Sequence, residues 1–361
     1  MAIEQIRLEK FLELRKLYPV FDVRSPGEFR HAGIPGAINL PLFTDEERAV
    51  VGTAYKKESR EKAIRIGLGF FGTKMADLVI RAEELCVVPD QDERDDKKRT
   101  LILHCWRGGM RSAGMAWLLD LYGFKVYTLV GGYKSFRKWA LESFENTGPL
   151  NVIGGYTGSG KTEILHAIGA RGETVIDLEA LAAHKGSAFG NLEGIKQPSQ
   201  EFFENKLALA FFEAREKNRD IWIEDESRRI GDLNLPEAIF KRKETHPVFF
   251  ISIPFEQRLD YLLSGYGKGN PEAFKEAILR IKKRLGPTET RKAIDYLTGN
   301  DMRGCFEILL KYYDKLYLKS VFGLKEKIPR KTITIHCPDT DSLTNARQIL
   351  KIAKTPLLHE S

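Results

Sequence analysis

The sequence predicts an α/β protein of two consecutive units, each a parallel sheet flanked by helices, with a mainly helical stretch late in the second. Three observations carry this reading. Short apolar runs alternate with stretches of helical periodicity from about residue 20 to residue 255, the pattern of βαβ units. Two of those runs end in glycine-rich loops that open directly into a helical pattern, one beginning at Cys105 and one at Gly155. Between the two series stands Asn146-Thr147-Gly148-Pro149, a turn-forming sequence that marks a domain boundary. The units are accordingly set at 1–145 and 146–361.

In the first unit, 21–24 reads as a short buried strand. Ser25-Pro26 then starts a helix or turn, with serine as N-cap and proline in the first helical position. A turn and a short strand follow over 33–41. Residues 44–85 are largely helical and form an insertion. The charged run over 90–99 reads as a solvated loop. Leu101-Ile102-Leu103 is the strand that feeds the Cys105 loop, and a helix begins near Ser112. A strand at 125–130 is ended by Gly131-Gly132, and a helix runs from Tyr133 to about Phe144. The second unit has strands at 150–153, 174–177, 221–224 and 248–252 with helical patterns between them. From about 255 to 325 the pattern is helical; a late strand at 331–335 and a short helix close the chain.

A chain of 361 residues with 42% hydrophobic and 30% charged residues is an ordinary globular composition with room for two cores. No apolar run approaches the roughly 20 residues that span a bilayer. The opening Met1-Ala2-Ile3-Glu4-Gln5 lacks a signal-peptide pattern, so a cytoplasmic location without membrane association is expected. The four cysteines, Cys86, Cys105, Cys305 and Cys337, are widely spaced with no Cys-x-x-Cys. Free thiols and no zinc are therefore expected. The net charge of +7 permits a polyanionic partner without establishing one.

Cys105-Trp106-Arg107-Gly108-Gly109-Met110-Arg111 places a thiol between a strand end and a helix start. There the helix dipole and free N–H groups favour a thiolate. Gly108 and Gly109 let successive N–H groups turn inward around an anion, and Arg111 can grip that anion with two donors. The loop reads as a nucleophilic cysteine facing an oxyanion. His104 is a candidate base, but strand alternation points it to the opposite face, where it packs in the core.

Gly155-Tyr156-Thr157-Gly158-Ser159-Gly160-Lys161-Thr162 matches Gly-x-x-x-x-Gly-Lys-Thr between an apolar strand and a helix, the context a phosphate-binding loop (P-loop) requires. Its N–H groups cradle a diphosphate, Lys161 reaches the outer oxygens, and Thr162 ligates Mg²⁺. This makes the second unit P-loop NTPase-like. Asp177 and Asp225 follow strands on the same edge and are candidate acids, holding Mg²⁺ through water or acting as a base. Glu224 and Glu226 read as surface carboxylates. Arg228 and Arg229 either neutralise phosphate charge or pair with these acids. Lys282, Lys283 and Arg284 are a solvated helix face or an RNA contact. The loop over 264–271 is a flexible connection that can carry an aromatic side chain to a base.

Two families enter at this point. Asp22-Val23-Arg24-Ser25-Pro26-Gly27-Glu28-Phe29, His31-Ala32-Gly33-Ile34-Pro35-Gly36-Ala37-Ile38-Asn39-Leu40-Pro41, His104-Cys105 and Gly131-Gly132-Tyr133 resemble the rhodanese family over about the first 140 residues. That resemblance implies a cysteine that carries sulfur or selenium. The spacing of five residues between Cys105 and Arg111 departs from the usual shorter sulfurtransferase loop and is that of related phosphatases. It leaves room for a tetrahedral, phosphate-sized anion. Together with Trp222-Ile223-Glu224-Asp225-Glu226-Ser227-Arg228-Arg229-Ile230-Gly231 and the P-loop, nearly the whole chain is similar to the tRNA 2-selenouridine synthase family.

The second resemblance implies replacement of sulfur by selenium in 2-thiouridine at the tRNA wobble position. Two steps are implied: S-geranylation from geranyl diphosphate, then displacement of the geranylthio group with selenophosphate as selenium donor. Cys105 would carry selenium as a selanyl-cysteine, and Arg107 and Arg111 would hold the phosphate portion with Trp106, Gly108, Gly109 and Met110 around it. The P-loop would hold geranyl diphosphate with Mg²⁺. The tRNA anticodon loop, and an enzyme that supplies selenophosphate, are the implied partners. Three rivals stay open: a phosphatase using the Cys105 loop, for which the sequence offers no general acid; a nucleotide kinase or NTPase with a regulatory rhodanese domain; and a non-enzymatic RNA-binding protein, which leaves both anion loops without a purpose.

Overall fold

The computed structural model describes residues 3–86, 99–184, 195–266, 270–322 and 331–354. The charged run at 90–99 lies outside these except for Arg99, as do 267–269 of the loop over 264–271 and the end of the helical stretch beyond 322. The chain forms two compact units, Met1–Glu142 with Glu204–Lys206, and Ser143–Phe203 with Leu207–Ser361.

The first unit holds a five-stranded sheet of β1 (Ile3–Ile6), β2 (Val20–Asp22), β3 (Ile38–Asn39), β4 (Thr100–His104) and β5 (Lys125–Leu129), in the order β1-β5-β4-β2-β3. Every pairing is parallel. The central strand β4 is buried at all five positions, which is why it reads as a continuous apolar run rather than an alternating one. Strand β1 carries no such signal, because it lies on the sheet edge with Ile3, Glu4 and Gln5 exposed. The insertion is three helices, Asp45–Lys57, Arg60–Gly72 and Met75–Leu85. Thr44 and Glu47 cap the first reciprocally, each side chain accepting from the other's backbone N–H, and Ser59 caps the second. Such caps stabilise a helix end by about 1 kcal/mol each. The third helix drives Leu78, Val79 and Ala82 into a core shared with Phe21, Leu103 and Met115.

The second unit holds β6 (Leu150–Gly155), β7 (Thr174–Ile176) and β8 (Ile221–Glu224), a small antiparallel hairpin of β9 (Arg229–Ile230) and β10 (Leu233–Asn234), then β11 (Val248–Ser252) and β12 (Thr332–His336). Its main sheet is fully parallel in the order β12-β11-β6-β8-β7. The hairpin strands are two residues long, too short to show periodicity. Helices Phe255–Tyr266, Pro271–Leu285, Pro287–Thr298 and Met302–Phe322 build a separate core around Leu259, Phe274, Ile278, Ala293 and Leu309. Prolines at the first positions of two of them start each helix sharply after a turn. Among the described residues, no helix is long and apolar enough to cross a membrane.

Parallel strands bring their carboxyl ends to one edge of each sheet. In the first unit that edge carries Arg24, the Cys105 loop and Gly131-Gly132. In the second it carries the P-loop, Asp177 and the residues after Ile223.

Candidate functional site

Cys105 follows the last residue of β4 and is 3% exposed. Its Sγ accepts the Gly109 N–H at 3.3 Å and lies 3.3 Å from Ser112 Oγ, which also donates to the Gly109 carbonyl at 3.1 Å. Burial pushes this thiol up. The Ser112 hydroxyl and the N–H groups of Ser112, Arg107 and Gly109 outweigh burial and hold it below the ordinary thiol range. The other three cysteines move the other way: burial pushes Cys86 up to about 12, Cys305 up to about 11, and Cys337 upward. Of the four thiols, Cys105 is thus the one prepared as a nucleophile.

The loop is fixed by backbone. The carbonyls of Cys105 and Trp106 accept the N–H groups of Tyr133 and Lys134 at 2.8 and 3.0 Å, in the first turn of helix Gly132–Ser143. Gly108 and Gly132 make this closeness possible. Both have positive φ, and a Cβ on Gly132 would stand 2.3 Å from the Cys105 carbonyl oxygen. Trp106, Arg107, Gly109 and Met110 face solvent. Trp106 packs its ring 5.6 Å from that of Tyr133.

Arg111, in the first turn of helix Met110–Leu121, donates to Glu28 at 2.7 Å, and Arg48 stands 3.6 Å from the same carboxylate oxygen. Burial pushes Glu28 up, but the Arg111 guanidinium, the Ser25 N–H and the Arg48 charge together hold it below the usual carboxylate range. Arg24 is 1% exposed; it grips Asp22 through Nε and a terminal nitrogen, donates to the Ala32 carbonyl, and lies 4.0 Å from the Tyr133 ring centroid. His104 is fully buried, with neither ring nitrogen hydrogen-bonded and Nε2 3.8 Å from Asp22; burial lowers it against the pull of the Asp22 charge.

In the second unit, Gly158 and Gly160 take positive φ as the P-loop turns from β6 into helix Lys161–Gly169. Gly155 has no room for a side chain, because a Cβ would meet Ser159 Oγ at 2.7 Å. Lys161 Nζ donates to the Gly155 carbonyl at 3.2 Å, over the loop it is expected to serve. Arg258 is 4% exposed and holds the loop from behind: it donates to the Thr157 carbonyl at 3.0 Å and forms a bidentate pair with Asp314 at 2.9 and 2.8 Å.

The reading of Glu224 and Glu226 as surface carboxylates requires a correction. The sequence reading names Asp177 and Asp225 as the candidate acids. Asp225 instead accepts from Lys243 Nζ at 2.7 Å, and Lys243 is 2% exposed. Asp177 caps helix Leu178–Ala182, accepting the Ala180 N–H at 2.7 Å, and meets His166 at 2.7 Å. Neither is hydrogen-bonded to Thr162, although the Asp177 charge acts on Glu179 and Glu224. The Thr162 hydroxyl lies 2.6 Å from Glu224 and 3.2 Å from Glu179. Glu224 is fully buried and Glu226 is 9% exposed, so neither is a surface group. The reason is strand alternation: Glu224 ends β8 on the face toward the P-loop helix, and Asp225, one residue on, turns the other way.

Burial and the Glu179 and Glu226 charges push Glu224 well up. Burial and Glu226 push Glu179 up to about 7, against the pull of Lys161 and Thr162. Oε2 of Glu224 is buried without a hydrogen-bond partner. A hydroxyl beside crowded buried carboxylates fits a hard divalent cation such as Mg²⁺, which keeps waters and phosphate oxygens as its other ligands. Among the described residues, no group of three or more His, Cys, Asp or Glu is arranged to hold a metal unaided.

Family models match both units: a rhodanese-like domain over residues 7–138, and the AAA domain of tRNA 2-selenouridine synthase over 148–332. A tRNA 2-selenouridine synthase of Bdellovibrio bacteriovorus is 32% identical, with 89% of this chain and 94% of the relative covered. The chain belongs to the tRNA 2-selenouridine synthase family. Family members of the same name from Nitrosomonas europaea and Shewanella denitrificans are 36% and 34% identical, over 76% and 85% of this chain and 71% and 88% of theirs.

Within this synthase family frame, the basic candidates divide. Arg229 is tied to the Gly231 carbonyl and Asp232 within the hairpin, and Arg228 stands 3.7 Å from Glu237 at the start of the next helix, Glu237–Thr245. Lys282, Lys283 and Arg284 are exposed in the last turn of helix Pro271–Leu285. Lys282 and Lys283 line a groove of about 480 Å³ together with Thr290, Arg291 and Asp295. Sequence reasoning misses Ser112, Glu28, Glu179, Glu224 and Arg258. A hydroxyl directly after Arg111, and a glutamate ending an apolar strand beside a P-loop strand, are signals that could have found Ser112 and Glu224. Arg258, reached only through folding, has none.

Proposed function

We propose that this protein converts 2-thiouridine at the tRNA wobble position to 2-selenouridine in two steps. In the first, the thiocarbonyl sulfur attacks C1 of geranyl diphosphate and diphosphate leaves. In the second, selenium from selenophosphate, released in a reaction that depends on Cys105, displaces the geranylthio group at C2. The observation that carries the reading is the presence in one chain of two different anion loops, a P-loop and a lowered thiol under inward N–H groups. A phosphatase or a kinase needs only one of them.

The P-loop N–H groups and Lys161 bind the diphosphate and hold the negative charge that grows on it as it leaves. Thr162 and Glu224 would hold Mg²⁺ there, and it would supply charge neutralisation. The Gly109 and Ser112 N–H groups, with Arg107 and Arg111, bind the selenophosphate oxygens. Alkylation makes sulfur a good leaving group, which the order of the two steps exploits. The positive net charge and the Lys282–Lys283 groove suit an RNA backbone.

Mass spectrometry of nucleosides from a 2-thiouridine tRNA tests this. Geranyl diphosphate and Mg²⁺ with the protein are expected to give S-geranyl-2-thiouridine, and added selenophosphate to give 2-selenouridine. Phosphate release from simple phosphate esters, dependent on Cys105 and without any change in the nucleoside, is the result that favours the phosphatase instead.

A further inference from the structure

We infer that Cys105 frees selenium by attacking the phosphorus of selenophosphate, so that the covalent intermediate is an S-phosphocysteine and not a selenium-bearing cysteine. This rests on the proposed function and fixes which atom the nucleophile strikes.

The loop is shaped for a phosphoryl group. Five residues between Cys105 and Arg111 leave a ring of backbone N–H groups around Sγ, with those of Gly109 and Ser112 turned toward the sulfur. Three phosphoryl oxygens can occupy such a ring only if phosphorus sits over Sγ. Attack on selenium would instead push the phosphoryl oxygens away from the N–H groups, one bond further out.

Leaving-group chemistry points the same way. Glu28 is tied to Arg111 at 2.7 Å, and His104 is fully buried with Nε2 3.8 Å from Asp22 and no hydrogen bond to either ring nitrogen. Neither is placed to give a proton at the loop. An alkoxide leaving from an ordinary phosphate ester needs one. Hydroselenide is a weak base and leaves without it.

The electrons also balance along this route. The Cys105 thiolate forms an S–P bond, the P–Se bond breaks, and its pair departs on selenium as hydroselenide. Hydroselenide attacks C2 of the S-geranylated base, the C2–S bond breaks, and geranylthiolate leaves and takes the proton. Water then cleaves S–P, giving phosphate and the thiolate. Nothing is oxidised or reduced. Attack on selenium would leave an S–Se bond, and transfer from it to carbon needs two electrons from a reductant. Ser112 Oγ, 3.3 Å from Sγ, stabilises the thiolate when it departs from phosphorus.

The test uses the full-length protein with pre-geranylated RNA and phosphorus-radiolabelled selenophosphate, without thiol reductant, quenched in denaturant. The expected result is radiolabel on the Cys105 peptide, with no selenium isotope pattern and no loss on later dithiothreitol treatment. Ser112→Ala is expected to slow S–P hydrolysis by roughly tenfold and raise the labelled fraction. Selenouridine formation with selenium on Cys105, or with no phosphorus on Cys105 in either protein, overturns the inference alone. Failure to form selenouridine from geranylated RNA under any condition overturns the proposed function with it.

Discussion

The Thr162 hydroxyl stands 2.6 Å from Oε1 of Glu224, whose other oxygen is buried without a partner. Together with Glu179, 3.2 Å from the same hydroxyl, Glu224 would suit a divalent cation. Glu224 and Glu179 both bind protons more tightly in the folded chain than in the unfolded one. The native state thus holds extra protons above the ordinary carboxylate value. This contribution to stability is complete below about 4.5 and is lost as pH rises through about 7. Mg²⁺ is expected to raise the melting temperature at neutral pH and much less in mild acid, where protons already neutralise the cluster. Glu224→Gln should flatten the difference; an Mg²⁺ shift that is the same at both pH values, or unchanged in the variant, would count against this site.

Lys161→Ala removes the ammonium that lies over the P-loop. Geranylation is expected to fall by at least about a hundredfold, the scale of losing a charged transition-state contact. Selenation of RNA that is geranylated beforehand should continue. Nucleoside mass spectrometry on the two RNAs separates these, and loss of both activities argues against the assigned division of labour.

Cys105 is the single thiol of four held below the ordinary range, so a limiting amount of iodoacetamide at neutral pH should label it first. Its rate is expected to stay high as pH falls past the value where a free thiol would be protonated. Ser112→Ala, which removes the main opposing influence to burial, should move the rate profile to higher pH. Peptide mapping across pH reads both effects.

Glu28 aims Arg111 across 83 residues of sequence. Glu28→Gln keeps the shape and weakens the grip, so the rate of selenation should drop roughly tenfold with geranylation untouched. Arg111→Lys should not be rescued by the native Glu28, because an ammonium cannot make the paired contact.

Much of the fold is legible in the sequence because parallel, doubly covered strands are long apolar runs: β4, β6 and β8 announce themselves, and so do the loops they feed. Strand β1 does not, since an edge strand is held by its backbone and its exposed Glu4 and Gln5 report nothing. The two anion loops are local in sequence and read directly. Their supports are not. Glu28 reaches Arg111, and Arg258 reaches Thr157 and Asp314, only after folding. The choice between Glu224 and Asp225 turns on strand phase, which a single residue's offset reverses.

The Cys105 loop is fastened through its own carbonyls to the start of helix Gly132–Ser143, while Trp106, Arg107 and Met110 are left outward. Its backbone anchorage uses none of those three side chains, although Trp106 also packs on Tyr133. They form a replaceable face on a fixed mount: a new residue at Met110 can retune which donor or base is admitted, and the nucleophile beneath keeps its position. Directed variation for altered chalcogen donors therefore belongs first at 110, spares Arg107, and must leave Gly108 and Gly132 alone.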